Sequence, residues 1–491
     1  MLRVLGNSKR LCDGLTRRDL LRVGGLGLLG GMTSSATASA MRPASFGRAK
    51  ACILLYLYGA PSQIETFDPK PKAPLEIRGE FKSIPSVVPG LDVCEGLPHM
   101  ARVMDKVTVI RSMTHPYPIH GVAYALTGIP RIELAMELNP RDAGHWPFVG
   151  SVVDFVDGKH AAGRTSEVPR NLALPWAFST NRVGEVPRAG PYGGFLGPSF
   201  DPVWTEFAGQ GTVMAHKTLP PRVWDEVEPY RGVSRDSRFR LGSVTNIPPE
   251  LTLDRMDRRR SLLDQLETAR RSFDSVNDTA GADRGRSMAY SLMHSDKLKS
   301  AFDLDRETAA TRDLYGMTLF GQAALTSRRL VEAGGRFISV FWDEYGLAGT
   351  GWDTHWDHYP RMREELLPGL DRTLSGLLID LDRRGMLDET LVMCLSEHGR
   401  TPKITTGQGG GRDHWSRCYS VVLAGAGIKR GSVLGRSDSI ASDPAERPTS
   451  PKDVLATAYH LLGIDPATEL ADRQGRPMGL VPTGSVIEEI L

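Results

Sequence analysis

Apolar residues in this chain fall into two kinds of run. Cys52–Tyr58, Val107–Arg111, Phe337–Trp342, Leu391–Ser396 and Tyr419–Ala424 are short and continuous. A continuous run, rather than an alternating one, predicts a strand covered on both faces, as in a parallel sheet. Between these runs the spacing becomes helical. Leu367, Leu370, Leu374, Leu377, Leu378 and Leu381 recur at helical intervals, with Gly385 as the stop. Asp313–Ala333 predicts another helix, closed by Gly334-Gly335. Ser450-Pro451 reads as an N-cap with proline at the first helical position, ahead of a helix that stops at Gly463. Strand and helix in alternation predict an α/β fold with a doubly wound, mostly parallel sheet.

Two regions interrupt the alternation. Residues 135–235 are rich in Pro and Gly and predict long loops with short elements. Residues 248–310 are charged and helical, with Leu253, Met256, Leu262, Leu263 and Leu266 as the apolar stripe. The second region is expected as a helical insertion packed on the sheet, not as an independent domain. The chain has no internal repeats.

The first forty residues follow neither pattern. Thr16-Arg17-Arg18-Asp19-Leu20-Leu21 leads into an apolar Gly/Leu run, Val23–Met32, and then small residues, Ala36-Thr37-Ala38-Ser39-Ala40. A basic segment, a short apolar segment and a small-residue cleavage point are the parts of a secretory signal. The paired arginines before a weakly hydrophobic stretch resemble the bacterial twin-arginine signal, whose export machinery is then a partner. The apolar run is about half the roughly 20 residues a spanning helix needs. Residues 1–40 are therefore expected to be a signal peptide, and 41–491 one exported domain, periplasmic or extracellular, without a transmembrane segment.

Composition narrows the function. Of 491 residues, 40% are hydrophobic and 24% charged, which excludes fibrous and largely disordered chains. The net charge is +2. The first forty residues hold six basic and two acidic side chains, so they carry +4 and the remainder carries −2. A near-neutral mature chain has no field to attract nucleic acid, which is excluded as a partner. Cys52, Cys94, Cys394 and Cys418 are widely spaced with no CxxC pair, which predicts neither a disulfide framework nor a thiolate zinc knot. Cys52 and Cys394 sit in apolar runs and read as packing residues.

Candidate chemistry gathers beside the predicted strands, where sites form in open α/β sheets. After Phe337–Trp342 comes Gly351-Trp352-Asp353-Thr354-His355, with Asp357 and His358 close behind. After Leu391–Ser396 comes Glu397-His398-Gly399-Arg400-Thr401-Pro402. Before Tyr419 comes Gly411-Arg412-Asp413-His414-Trp415. Four of the twelve histidines lie in these three segments, each near a carboxylate. Imidazole with carboxylate suits zinc, manganese or iron, and oxygen-rich subsets suit calcium or magnesium. Singly, each segment reads equally as a loop hydrogen bond, a helix cap or a packed surface histidine.

With these residues in view, the chain resembles the bacterial domain-of-unknown-function 1501 family, a sulfatase-like branch of the alkaline phosphatase superfamily. The matching stretches are the twin-arginine start, Leu57–Ser62 running into Glu65–Pro71, Arg111–His115, Leu126-Thr127-Gly128, Gly193–Pro198, Gly351–His355, Glu397–Pro402 and Gly411–Trp415. The resemblance implies an alkaline phosphatase/sulfatase-type sheet with a divalent metal at the strand ends. Zinc is the first expectation, with calcium, magnesium and manganese as alternatives. Asp353, His355, Glu397, His398 and His414 would be its ligands. Arg400 would steady an anionic ester group as a fork of donors.

Two departures from the family pattern stand out. The turn after the first strand is Gly59-Ala60-Pro61-Ser62, where a metal-binding Asp is usual, so Glu65 or Asp68 would have to supply it. Nine residues before Thr127, where active relatives carry a nucleophile, stands Pro118. Thr114, Ser112 and Ser62 are stand-in nucleophiles, and His115 and His120 are candidates for base or ligand; an activated water is a further route. The expected function is an exported, metal-dependent hydrolase of small phosphate or sulfate esters. The alternative is a metal-binding scaffold of the same fold without catalysis, and a metal-free structural protein ranks last.

Overall fold

The computed structural model describes residues 43–118, 120–129, 139–140, 142, 144–160, 167–180, 188–219, 222–241, 295–343 and 351–491. The expected signal, 1–40, and the helical stripe Leu253–Leu266 lie outside these residues.

Among the described residues the centre is a nine-stranded sheet. Its strands, in chain order, are β1 (Ala51–Leu57), β2 (Val107–Met113), β3 (Asn171–Leu174), β4 (Val203–Ala208), β5 (Arg238–Leu241), β6 (Phe337–Trp342), β7 (Thr390–Leu395), β8 (Tyr419–Ala424) and β9 (Ser432–Leu434). Across the sheet they run β9-β2-β8-β7-β1-β6-β3-β4-β5. β1 pairs parallel with both β6 and β7, Cys52 opposite Phe337 and Leu391. All five apolar runs of the sequence are strands of this sheet.

Both faces of the sheet are covered, which is why its strands read as continuous apolar runs. Ile53, Leu55 and Leu57 face a layer containing the helices α1 (Leu319–Glu332) and α2 (Leu367–Arg383). Cys52, Leu54 and Tyr56 face the opposite layer, which includes Val152 and Val153 of the helix Val149–His160 and Val454 and Leu455 of the helix Pro451–Leu461. The six leucines of α2 are fully buried. Truncating one to Ala costs about 2–5 kcal/mol in a core of this kind. Ser450 caps Pro451–Leu461 through a reciprocal bond with Asp453, as the Ser-Pro pair predicted.

Three local expectations change. Tyr419–Ala424 runs antiparallel to both its neighbours, β7 and β2. The chain reaches it through an excursion that folds on itself, Gly399 opposite Trp415 and Arg400 opposite His414. No helix crosses over between β7 and β8, so the chain returns in the reverse direction. The helix expected over 313–333 is two, Ala309–Tyr315 and α1, parted at Gly316. The Pro/Gly-rich region holds more strand than expected: β3, β4 and a long hairpin, Gly211–Leu219 with Arg222–Val233. Among the described residues no helix is long and apolar enough to cross a membrane.

Candidate metal centre

The parallel strands β1, β2, β6 and β7 end at one edge of the sheet, and β8 begins there. Tyr58 and Gly59 follow β1, the loop through His115 and His120 follows β2, and Glu397-His398 follows β7. His414 leads towards β8. The stretch with Asp353 and His355 is fixed to the same edge, since the Trp352 N–H donates to the Tyr58 carbonyl at 3.0 Å. Gly59 has φ 99°, and a Cβ there would collide with the backbone of Trp352 and Asp353. Only glycine allows β1 and this segment to close up.

Four imidazoles converge here, and each has its outer nitrogen tied. His120 Nδ1 lies 2.8 Å from Glu397 Oε1, and His355 Nδ1 lies 2.7 Å from Asp413 Oδ1. His398 Nδ1 donates to the Gly399 carbonyl at 2.8 Å, and His414 Nδ1 donates to the Pro118 carbonyl at 3.3 Å. A carbonyl can only accept, so His398 and His414 each keep a lone pair on Nε2 when neutral. His414 Nε2 stands 3.1 Å from His355 Nε2 and 3.3 Å from Asp353 Oδ1. His355 Nε2 is 3.0 Å, and His120 Nε2 3.4 Å, from the same Asp353 carboxylate. His398 Nε2 is fully buried and has no hydrogen-bond partner among the described residues.

With neutral rings, the lone pairs of His355 and His414 would point at one another. A proton or a cation must lie between them. Burial opposes a charge on His120, but its bonds to Asp353 and Glu397 prevail and raise its pKa to about 9. The bond to Asp353 raises His355 against its burial. Burial depresses His414, and it holds His398 far down with help from the charges of His120, Arg400 and His414. Asp353 stays ionised although buried, because Arg400 and the three imidazoles hold its pKa well below the usual range.

The donor set fits a divalent cation. His120, His398 and His414 bring ligand atoms within 4.8 Å of one another, and so do Asp353, His355 and His414. Donors on one tetrahedral ion at about 2.0–2.1 Å stand about 3.3 Å apart, close to the spacings here. The tied outer nitrogens are the orienting bonds that metal-ligating histidines use.

Most of the candidates named from the sequence thus meet. Asp353, His355, His398 and His414 do so as candidate donors, and His120 joins them. Glu397 belongs to neither group; its Oε1 orients His120 and accepts the Gly59 N–H at 2.8 Å. Arg400 is fully buried, and its donors go inward to the carbonyls of Ala60, Gly59 and Arg412 and to Asp353 at 2.5 Å. It clamps Asp353 to the β1 turn and does not present a fork outward.

Thr114 makes no side-chain bond to the cluster; its N–H donates to the Thr449 carbonyl. Ser112 donates to the Arg447 carbonyl, and Ser62 is buried away from the cluster beside Glu65. His115 is spent on the Glu397 carbonyl and the Tyr117 N–H. Glu65 and Asp68 do not replace the missing acid. Glu65 is bound by Arg412 at 2.5 Å, and Asp68 by Ser437, with Lys70 at 2.9 Å. Sequence reasoning missed Asp413 and the carbonyls of Pro118 and Gly399 as orienting groups. A backbone carbonyl leaves no trace in residue type, whereas Asp413 stood beside His414 in a quoted segment.

No curated protein matches the chain. Solved structures similar to it include a phosphonate monoester hydrolase from Silicibacter pomeroyi, 11% identical, covering 89% of this chain and 76% of that one, with a TM-score of 0.30. Another is the PsFucS1 sulfatase from Pseudoalteromonas sp., 12% identical, covering 85% and 68%, with a TM-score of 0.34. A third is BT4656 in complex with its substrate D-glucosamine-2-N,6-O-disulfate, 14% identical, covering 90% and 82%, with a TM-score of 0.34. The profile of one family, described as a protein of unknown function, DUF1501, matches residues 49–491. By that match, which takes in every residue of the centre, the chain belongs to the DUF1501 family.

Proposed function

We propose that the chain is a metal-dependent hydrolase of small phosphate or sulfate esters, with its centre formed by His120, Asp353, His355, His398 and His414. One observation carries the reading. Four imidazoles have their outer nitrogens tied; the inner nitrogens of His120, His355 and His414 face each other or a shared carboxylate at 3.0–3.4 Å, and that of His398 is buried beside them. A bound divalent ion, zinc first, supplies Lewis-acid chemistry, polarising an ester oxygen and lowering the pKa of water. The chain's own residues do the holding. Asp353 supplies the negative charge, Arg400 fixes Asp353, and Glu397 fixes His120. His120 accepts or gives a proton at Nε2 when no cation holds it. With Ser112 engaged elsewhere and neither Ser62 nor Thr114 bonded to the cluster, water is the nucleophile in this reading.

Purified protein should contain stoichiometric metal. It should hydrolyse aryl phosphates, phosphonates or sulfates when zinc, manganese, magnesium or calcium is supplied, and lose that activity on chelation. Bound metal with no turnover of any ester would favour the second reading, a metal-binding scaffold. The inward commitment of Arg400 supports that alternative. Protein without metal affinity would end both.

We also propose that residues 1–40 are a twin-arginine signal and 41–491 the exported domain. Changing Arg17 and Arg18 to Lys keeps the charge and should leave the precursor in the cytoplasm. Unchanged processing and export would refute this signal.

A further inference from the structure

Behind the centre lies a second set of ionisable groups, fully shielded from solvent: Glu65, His358 and Arg412 are each 0% exposed. Glu65 Oε1 accepts from Arg412 Nη2 at 2.5 Å, and its Oε2 lies 3.4 Å from His358 Nε2. His358 Nδ1 is 2.8 Å from Thr354 Oγ1, and the Arg412 N–H donates to the Thr354 carbonyl at 3.0 Å. The Arg412 Nη groups also donate to the carbonyls of Thr401, Pro402 and Ile77.

Position in the chain gives these bonds their meaning. Thr354 stands between Asp353 and His355, His358 lies three residues beyond His355, and Arg412 lies two before His414. Glu65 belongs to the loop after β1. One buried carboxylate therefore ties together the two stretches that bring Asp353, His355 and His414 to face each other. Gly411 makes the closeness feasible, since a Cβ there would collide with the His355 carbonyl.

A purely structural part is a weak explanation for such a set. Desolvating an ion pair costs about as much as the pair returns, and well-packed apolar residues often serve stability as well or better. Defined geometry is what a buried charged pair supplies and an apolar pair does not. We propose that Glu65, Arg412 and His358 are positioning residues that fix the distance between the Asp353–His355 turn and His414, and so set the affinity of the centre for a divalent cation. This rests on the metal-binding reading above.

The test titrates the full chain with cobalt(II), whose visible absorption reports coordination geometry. The double variant Glu65→Gln with Arg412→Met removes both charges, so neither is left buried alone. It should keep its melting temperature within a few degrees, bind cobalt at least tenfold more weakly and show an altered spectrum. His358→Gln is the second arm and decides the matter if the double variant does not fold; it should weaken binding severalfold. A folded variant with wild-type affinity and spectrum overturns the positioning role while the metal centre stands. Wild-type protein that binds no cobalt overturns both.

Discussion

In the helix layer, Arg328 is fully buried and lies within 2.9 Å of Glu307, Glu332 and Asp380. Arg329 and Arg384 join the same three acids. Three bases meet three acids, and the set needs nothing from outside. At the sheet edge, four imidazoles and one aspartate crowd together, Arg400 binds the aspartate's carboxylate, and two ring nitrogens face each other at 3.1 Å. Burial of ionisable groups is common to both regions, so burial does not mark a site. What separates them is the balance of donors against acceptors: a matched set is architecture, and an acceptor-rich set calls for a proton or a cation.

That contrast can be broken at several points. Arg328→Met should have the largest effect, a loss of about 3–5 kcal/mol in urea unfolding, because the fully buried base of the network is removed and Glu307 and Asp380 are left with the bases Arg329 and Arg384. Its metal content should not change; a variant that lost metal as well would tie the two regions together and spoil the contrast. Glu65 tests the matched set behind the centre. Burial alone would raise its pKa, yet Arg412 and His358 hold it at about 2. A depressed carboxyl contributes stability that is complete above its unfolded value of about 4.3 and is lost as pH falls through about 2. Glu65→Gln should therefore cost of the order of 3 kcal/mol near neutral pH, and the gap to wild type should narrow between pH 4.3 and 2. A gap that does not depend on pH would mean that Glu65 is not ionised.

The acceptor-rich set predicts smaller changes. Zinc added back to chelated protein at about a hundred times its dissociation constant should stabilise the fold by about 2.7 kcal/mol. A melting curve indifferent to both chelator and zinc would remove the call for a cation. His398→Ala and His414→Ala should be non-additive, since each alone empties the same centre. The double variant should fall short of the sum of metal-linked losses by about 1 kcal/mol, within the usual range for coupled residues. Strict additivity would make them independently bonded loop histidines.

The fold was legible wherever one period ruled. Continuous apolar runs gave β1, β2, β6, β7 and β8, and the leucine stripe gave α2. The direction of β8 was not legible, because parallel and antiparallel strands bury the same side chains. Nor was the hairpin over 211–233, where Met214 is 57% exposed and the alternation that marks a half-buried strand is broken. At the centre, residue type and place after a strand pointed to Asp353, His355, His398 and His414. His120 was a candidate for base or ligand from its residue type alone, and it lies with His398 and His414 among the candidate donors. Glu65 misled. A carboxylate near a strand end can face the site or the core, and Arg412, 347 residues away in sequence, decides which.

The residues of the centre come from stretches far apart along the chain; His120 and the Glu397 that orients it are separated by 277 positions. Closing so long a loop costs conformational entropy, and topologies built on distant contacts fold slowly. An unfolded or half-folded chain therefore offers an ion no more than isolated imidazoles. In small zinc domains the ion and the fold arrive together, because the ligands are neighbours in sequence. Here the frame must already be built from strands and helices before high-affinity capture begins, so metal uptake should follow native tertiary structure in refolding and should not accelerate it.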